Sequence, residues 1–460
     1  MKTLPPILLA LSLAAFPVIA AEPTATNELS ALDARIRALE AQAQELRAQA
    51  AAALEEAQAA RTELDRMKAG QAQASVAATA APAAAPVAAP VAAPADGAAA
   101  SAGASANTFN PAISAVLDGV YAHHSLDPED YALAGFPLVG EAGPGEQGLS
   151  LGESEVTLSA NVDDKFYGQL TVAIEQDEGE TEVALEEAYI DTLALPEGFA
   201  LRAGRFYSSI GYLNSRHTHT DLFTDRPLAY QAFLANQFGD AGVQLRWVAP
   251  TDLYVELGGE LFRGDSFPAG GGANSGVGAR TAFVHFGGDV GLEHSWLGGV
   301  SVLDSDADVA EDGFDGEGTL YIADLTWKWA PDGNAKDGGL TGRAEYFHED
   351  RDGNYVDPVD PALDQPWIGT RNGLYVEGVW RINRRWDTGY RYDKLWADDS
   401  GPYASDFDPS ANSMMLTWRN SEFSLVRLQL SRAEPQPRVH DNVVSLQYQV
   451  NLGAHAAHKY

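Results

Sequence analysis

The sequence predicts an all-β protein: a 16-stranded antiparallel transmembrane β-barrel that follows an N-terminal periplasmic coiled-coil helix. Three observations support this prediction. From residue 109 onward, apolar and polar residues alternate with a period of two in segments bounded by turn residues. Short and long connections alternate between these segments, and aromatic residues cluster beside the short ones. Residues 28–68 carry a different pattern, an apolar heptad repeat.

The composition excludes several classes of protein. The 460 residues include 30 Lys+Arg and 65 Asp+Glu, for a formal net charge of −35, whereas nucleic-acid binding requires a basic surface. Cysteine is absent, so disulfides, thiolate metal sites and cysteine nucleophiles are excluded. A bundle of transmembrane helices would need stretches of about 20 apolar residues, and the chain after the leader has almost no continuous apolar run.

Residues 1–20 have the organisation of a secretory signal peptide. Lys2 precedes an apolar stretch over 7–19, and small residues follow at Ala20. An N-terminal membrane anchor is the alternative, but the apolar stretch is short and Glu22 follows it closely. The sequence therefore predicts export and a mature chain that begins in the periplasm.

Residues 28–68 have an apolar residue at every a and d position of six heptads. The a series is Leu29, Ile36, Ala43, Ala50, Ala57 and Leu64, and the d series is Leu32, Leu39, Leu46, Ala53, Ala60 and Met67. The e and g positions place opposite charges together in Arg35 with Glu40, Glu56 with Arg61, and Glu63 with Lys68. The pattern predicts a homo-oligomeric coiled coil; a single solvated Ala-rich helix is the alternative. Residues 69–108 are rich in Ala and Pro, which is typical of a linker.

The predicted barrel covers residues 109–460, and one hairpin shows its pattern. Val243, Leu245 and Trp247 share one strand face, and a turn at 249–252 leads into a second strand with the same alternation. Aromatic residues lie beside the short connections: Phe166, Trp247, Trp329, Trp380, Trp386, Trp418 and Phe423. Such rings prefer a membrane interface. A soluble β-sandwich or lectin-like domain is the alternative, and it would bury these residues within its strands.

Two stretches resemble known barrel proteins. The segments at 187–191 (Glu-Ala-Tyr-Ile-Asp) and 201–206 (Leu-Arg-Ala-Gly-Arg-Phe) resemble the paired strands of phosphate-selective O/P-type outer-membrane porins. The ending at 452–460 resembles a group of small barrel proteins labelled TonB-dependent or zinc-regulated receptors. The resemblance implies a trimeric 16-stranded porin in the bacterial outer membrane. The chain departs from a true TonB-dependent receptor, which needs about 22 strands and a globular plug.

Charged residues of both signs fall on the predicted lumen face. They are Arg246, Glu256, Glu260, Lys328, Arg343, Glu345, Glu377, Arg381 and Arg391. A phosphate pore should carry a dominantly basic ladder, because rings of Arg and Lys select anions. We therefore do not extend phosphate specificity to this chain, and mutually neutralising ion pairs remain an equal alternative to a selective pathway.

The third predicted outer loop, residues 208–240, is the longest connection and is rich in apolar residues. We expect it to fold inward and narrow the lumen, with a neighbouring subunit as the alternative packing surface. Its polar residues would line the constriction: Arg216, His217, His219, Asp221, Asp225 and Arg226. His217 and His219, together with Asp221, would also suit Zn²⁺, although such a pair is more often plain polar surface.

Two other candidate metal sites are weaker. Asp304, Asp306, Asp308 and Asp315 resemble the acidic positions of a calcium loop, but Val309 stands where a glycine is required. His455 and His458 fall on opposite faces of the last strand. The sequence therefore predicts no resident cofactor. If a metal ion binds, Zn²⁺ and Ca²⁺ are the candidates.

The function predicted from these features is passive diffusion of small hydrophilic solutes through an outer-membrane channel. No nucleophile elbow, phosphate-binding loop or HExxH helix is present, so an enzyme is not expected. The expected partners are outer-membrane lipid, lipopolysaccharide and further copies of the chain. The alternative function is a receptor that binds or takes up a metal ion such as zinc, or its complex.

A peptide of residues 28–68 tests the coiled coil. We expect it to be helical and to self-associate, because the apolar a and d positions are buried only between helices. Circular dichroism and sedimentation equilibrium measure both properties. A peptide that stays monomeric at high micromolar concentration would show that the heptads do not drive assembly.

Overall fold

The computed structural model describes residues 111–140, 142–177, 180–271, 276–398 and 400–453. The predicted signal peptide, coiled coil and linker lie outside the described residues, as does the end of the chain from residue 454. Among the described residues, no helix is long and apolar enough to cross a membrane.

Sixteen antiparallel strands form one continuous sheet. They are β1 (Ala112–His124), β2 (Gly148–Leu151 continued by Ser154–Asn161), β3 (Phe166–Asp177), β4 (Glu180–Thr192), β5 (Phe199–Tyr207), β6 (Gly239–Val248), β7 (Tyr254–Phe262), β8 (Ala279–Val290), β9 (His294–Asp308), β10 (Phe314–Trp329), β11 (Gly339–Tyr355), β12 (Gln365–Asn383), β13 (Trp386–Ala397), β14 (Ser410–Ser421), β15 (Ser424–Gln436) and β16 (Val439–Gly453). A two-residue segment, Gly270–Gly271, also runs parallel to the end of β9.

The sheet closes on itself. Each strand pairs with the next along the chain, and β1 pairs with β16 from Ser114 opposite Gly453 to His124 opposite Val443. A closed barrel has no edge strand, so the backbone groups of every strand can be paired without water. The predicted all-β barrel of sixteen strands is therefore confirmed.

The two faces of the wall differ in the way that a lipid environment requires. On β10, Leu325 points outward and is 52% exposed, whereas its neighbours Asp324 and Thr326 point inward and are buried. The same alternation recurs along the other strands, with exposed apolar side chains outside and buried polar side chains inside. This arrangement inverts that of a soluble protein and is typical of a barrel with an apolar exterior and a polar lumen.

Most connections at one end of the barrel are short turns, whereas the other end has the longest connections together with short ones such as 437–438. The short turns include 162–165, 249–253, 291–293, 384–385 and 422–423, and the described ends of the chain lie at the same end. The longest connections, 125–147, 208–238 and 263–278, lie at the opposite end. The connection after β9 is only 309–313, because β9 and β10 extend further as a paired hairpin.

The predicted aromatic residues point outward beside the short turns. The rings of Trp386 and Trp418 lie 6.5 Å apart, and those of Phe199 and Trp247 lie 6.3 Å apart. Trp329 donates its indole hydrogen to Glu293 in the turn between β8 and β9 at 3.2 Å. These aromatic side chains, which are apolar with a polar edge, thus lie at the level where an apolar surface would meet water.

One α-helix, α1 (Leu228–Leu234), interrupts the longest connection, and Pro227 precedes its first turn. All seven of its residues are buried, which is expected for a helix that is apolar on nearly every side. Short 3₁₀ turns occupy Pro128–Asp130, Pro196–Gly198, Thr218–Thr220, Pro331–Gly333, Pro361–Leu363 and Gly401–Tyr403.

A charge placed on the exterior tests the orientation of the wall. Leu325 lies about 13 Å along β10 from Trp329, near the middle of an apolar band about 25 Å tall. We expect Leu325→Arg to lower the free energy of unfolding from lipid vesicles by about 2–4 kcal/mol. The matched control is Leu292→Arg in the turn, where the change should stay below about 1 kcal/mol. Equal effects at both positions would contradict a lipid-facing exterior.

Candidate functional site

The connection between β5 and β6, residues 208–238, packs against the inner face of the wall. We call it the inner loop. Its apolar side chains are buried: Ile210, Leu213, Phe223, Leu228, Tyr230, Phe233, Leu234 and Phe238. Most of them belong to one apolar cluster with inward side chains of the wall, including Phe262, Leu303, Ile322, Phe347, Tyr375 and Leu395. The inner face of the wall therefore shields the apolar side chains of the loop from water.

A single asparagine joins the two ends of the inner loop. The Asn214 amide donates hydrogen bonds to the carbonyl oxygens of Ser208 and Phe238, each at 2.8 Å, and its side-chain oxygen accepts one from the Phe238 amide at 2.7 Å. At the base of the loop, Glu260 of β7 accepts hydrogen bonds from the Ser208 hydroxyl and the Ser209 amide. These bonds satisfy backbone groups that would otherwise be buried without partners.

Glu345 of β11 anchors the middle of the loop. Its carboxylate accepts hydrogen bonds from the Tyr212 amide at 2.9 Å, the Tyr230 hydroxyl at 2.9 Å and the Tyr375 hydroxyl at 2.5 Å. Only 1% of Glu345 is exposed. Burial is the main cause that holds the pKa of Tyr230 well above its ordinary value, with the Glu345 charge adding to the effect. Tyr230 is therefore a hydrogen-bond donor at neutral pH, which a buried carboxylate needs.

Residues 217–225 of the inner loop, which we call the crossing segment, border two cavities. His217, His219 and Thr220 line a cavity of about 300 Å³ that reaches towards Ser114 at the start of β1. Thr218, Asp221, Thr224 and Asp225 line a second cavity of about 530 Å³ that reaches the first outer loop at 140–146. The segment thus lies between a space near the short-turn end and a space near the long-loop end.

One end of the crossing segment meets a group of glutamates on β2 and β4. Nδ1 of His217 lies 3.1 Å from Oε1 of Glu155 and 3.3 Å from Oε2 of Glu186, and its Nε2 lies 3.1 Å from Oε2 of Glu187. Nδ1 of His219 lies 2.8 Å from the same Glu155 oxygen. Burial lowers the pKa of His217, but its carboxylate neighbours outweigh this and raise the pKa well above its ordinary value. We call these residues, with Glu153, the His–Glu cluster.

A β-bulge explains why two consecutive glutamates both face inward. The register between β3 and β4 shifts where Thr171 pairs with Glu187 and Val172 pairs with Leu185, which leaves Glu186 as the extra residue. A regular strand would point one of the two carboxylates into the apolar exterior. Glu186 and Glu187 were not predicted as site residues from the sequence. The signal available in the sequence is the Glu-Glu pair itself, which a lipid-exposed strand could not otherwise accept.

The other end of the crossing segment meets arginines of β13 and β15. Arg391 contacts Asp225 at 2.9 Å and Asp393 at 2.9 Å, and Arg427 donates to the carbonyl oxygen of Asp221 at 2.8 Å. Asp221 itself pairs with Arg226 at 2.7 Å. Burial nevertheless raises the pKa of the Asp221 carboxyl. Because Asp221 pairs with Arg226, it does not join His217 and His219. The grouping of these three residues expected from the sequence is therefore wrong.

The remaining predicted lumen side chains point inward, and most of them form local ion pairs. Arg343 contacts Glu377 at 2.7 Å, and Arg381 contacts Asp387 at 3.1 Å. Arg246 lies between Asp191 and Glu256 at 3.9 Å from each. Lys328 borders a third cavity near Tyr212, and the Arg216 guanidinium lies 4.2 Å above the Tyr212 ring. The structure thus distributes these residues around the lumen and does not gather them at one point.

The weaker calcium candidates do not converge. Asp304 pairs with Arg280 at 3.6 Å on the outer surface, with more than half of both side chains exposed. Within the described ranges, the groups whose ligand atoms lie within 4.8 Å of one another are built from Glu153, Glu155, Glu186, His217 and His219. His455 and His458 lie outside the described residues.

Comparisons with solved structures give the fold. An anion-selective porin from Comamonas acidovorans is 11% identical with a TM-score of 0.50, covering 75% of this chain and 99% of that one. OprB of Pseudomonas putida is 11% identical with a TM-score of 0.50, covering 75% and 94%. At this identity the likeness shows a porin-like barrel fold. The resemblance to O/P-type porins and to zinc-regulated receptors stays a prediction.

No protein-family model matches the chain. A protein of Aquifex aeolicus (strain VF5), described as an uncharacterized protein, is 30% identical over 387 residues, covering 76% of this chain and 80% of the relative. The match covers about three quarters of the chain, which is much more than the porin-like motifs. The chain therefore belongs to the same family as this Aquifex aeolicus protein, and its barrel has the porin fold.

Proposed function

We propose that the protein is a porin-like channel of the bacterial outer membrane through which small hydrophilic solutes diffuse passively. The observation that carries this proposal is the polar interior of a closed sixteen-stranded barrel, which borders cavities on both sides of the crossing segment. Sixteen-stranded barrels enclose an aqueous lumen. The predicted signal peptide would direct export, and the predicted coiled coil would join copies of the chain in the periplasm. The resemblance to O/P-type porins implies a trimer in the outer membrane, with lipid and lipopolysaccharide around the barrel.

The crossing segment is the proposed constriction. It contacts Glu155 of β2 at one end and Arg391 of β13 and Arg427 of β15 at the other. These contacts lie on opposite sides of the β1–β16 pairing, so the segment extends across that part of the lumen. The size of a diffusing solute would then be set by the gaps beside 217–225, and its charge by the side chains that face those gaps.

Cations are the preferred solutes in this proposal. Among the side chains that the structure describes as buried, carboxylates clearly outnumber arginines. Several carboxylates have no basic partner at hydrogen-bond distance; both oxygens of Asp324 lack a hydrogen bond, and this residue lines the smaller cavity. Rings of acidic side chains favour cations in a pore.

A receptor for a metal ion is the second candidate function. It is favoured by the His–Glu cluster and by the extent of the contacts between the inner loop and the wall, which would suit a closed lumen. The two functions differ in conductance, because a pore conducts ions without an energy source and a closed receptor does not.

Replacement of residues 217–225 by Gly-Ser-Gly tests the constriction. The change spares Asn214 and α1, and the Arg226 guanidinium lies 2.5 Å from the Arg216 carbonyl oxygen, so a short linker can join the ends. We expect single-channel conductance in planar bilayers to rise at least about twofold, since a wider lumen remains.

The matched control is the same linker in place of 357–364, an exposed connection between β11 and β12, which should leave conductance unchanged. Variants that keep heat-modifiable gel mobility but show no rise in conductance would contradict the constriction. A lack of conductance in both the native protein and the loop variant would favour the receptor.

Ion selectivity is tested by the reversal potential in a KCl gradient. We expect the native channel to prefer K⁺, and Asp324→Asn to reduce that preference by removing a buried charge from the smaller cavity. Asp304→Asn, on the outer surface, is the control and should leave the reversal potential unchanged. Anion preference in the native channel would overturn the proposed selectivity.

A further inference from the structure

We propose that Glu155, His217 and His219, whose ligand atoms lie within 4.8 Å of one another, bind one divalent transition-metal ion of the Zn²⁺ type, with the Glu186 carboxylate beside His217. The site joins the crossing segment to β2 and β4. It concerns the attachment of the inner loop to the wall, and it holds whether or not the barrel conducts.

The ligand atoms are close enough to share a metal ion, and Nδ1 of His219 lies at hydrogen-bond distance, 2.8 Å, from Oε1 of Glu155. Four ligands at about 2.0–2.1 Å from a tetrahedral ion lie about 3.3–3.4 Å from one another. Nδ1 of His217 lies 3.1 Å from Oε1 of Glu155 and 3.3 Å from Oε2 of Glu186. Both oxygens therefore lie near the distance at which they could share an ion with this nitrogen.

The hydrogen-bond geometry of the Glu186 and His217 side chains also favours a bound metal ion. Neither Oε2 of Glu186 nor Nδ1 of His217 has a hydrogen-bond partner of acceptable geometry, although both atoms are buried and close together. Glu186 is 8% exposed and Glu155 is 2% exposed. Buried polar atoms of this kind normally have partners, and an ion between the side chains would supply one to each.

On the opposite edge of the His217 ring, Nε2 is hydrogen-bonded to a carboxylate, as is usual for metal-bound histidines. Its Nε2 lies 3.1 Å from Oε2 of Glu187 in a hydrogen bond, which leaves Nδ1 to face Glu155 and Glu186. A carboxylate that accepts the distal ring hydrogen fixes the tautomer and makes the other nitrogen a stronger ligand. Glu187 is therefore a positioning residue for His217.

The carboxylates of the His–Glu cluster outnumber its imidazoles, which favours a bound cation. Glu155, Glu186 and Glu187 are all buried, and the ion pairs that the structure gives for these three carboxylates, within its described part, are with imidazoles. A fourth carboxylate, that of Glu153, has an oxygen within 4.8 Å of the same group. Repulsion among buried like charges is costly, and a dication offsets it.

The donor set selects the class of ion. Imidazole nitrogen together with carboxylate oxygen suits Zn²⁺ and its transition-metal neighbours, whereas Mg²⁺ and Ca²⁺ prefer oxygen ligands alone. The absence of cysteine from the chain excludes thiolate ligands. A site built in this way would attach His217 and His219 to two strands at once and hold the crossing segment against the wall.

Isothermal titration of ZnCl₂ into the folded, untagged, full-length protein after chelator treatment tests the site. We expect one ion per chain, with Glu155→Gln and His217→Gln each weakening affinity at least about 10-fold. Glutamine keeps the size and hydrogen bonding of the side chain and removes the charge or ring. X-ray absorption at the zinc edge should show a shell of nitrogen and oxygen near 2.0 Å with scattering from two imidazole rings.

Two controls separate this site from adventitious histidines. His440→Gln removes an exposed histidine that lies 3.4 Å from Glu434, and the double change His455→Gln with His458→Gln removes those of the chain end. Neither should alter affinity. The proposal is overturned if wild-type protein binds no zinc, if the controls abolish binding, or if the two cluster variants bind as tightly as wild type. Should a cluster variant fail to fold, the absorption spectrum of the wild-type protein decides, because fewer than two imidazoles would exclude the site.

Discussion

The pairing of β1 with β16 is the constraint on which the rest of the structure depends. Without it, two strand edges would expose unpaired amide and carbonyl groups on an otherwise apolar exterior. Closure of the sheet then divides every strand into an outer and an inner face. Apolar side chains occupy the outer face, so the charged side chains of the wall are confined to a lumen of limited width, where they must find partners at short range.

The inner loop follows from the same constraint. Its apolar residues cannot remain in water at the mouth of the barrel, and the lumen offers buried aromatic and aliphatic side chains near the long-loop end. Its polar backbone is then satisfied by wall carboxylates such as Glu260 and Glu345. Acidic side chains of the wall thus have a structural role as acceptors, and the acidic composition of the chain is partly explained by this need.

Much of the barrel was predictable from the sequence because its determinants are local. Alternation with a period of two, short turns and their aromatic neighbours depend on residues close together in the chain, and they led to the sixteen strands and to the inward direction of residues such as Arg343 and Glu345. The bulge at Glu186 was not predictable in this way, since it depends on the register with β3. The partner of Asp221 was also missed, because the choice between histidine and arginine is made by the path of the loop.

The attachment of the inner loop on both sides of the β1–β16 pairing has a consequence for assembly. His219 contacts β2 on one side, while Asp225 contacts β13 on the other, and these strands are distant in sequence. The loop must therefore occupy the lumen before the first and last strands meet, or enter it through the mouth afterwards. In either case, burial of the loop and completion of the wall are thermodynamically coupled, so that a change in residues 217–225 alters the stability of strands that it never touches.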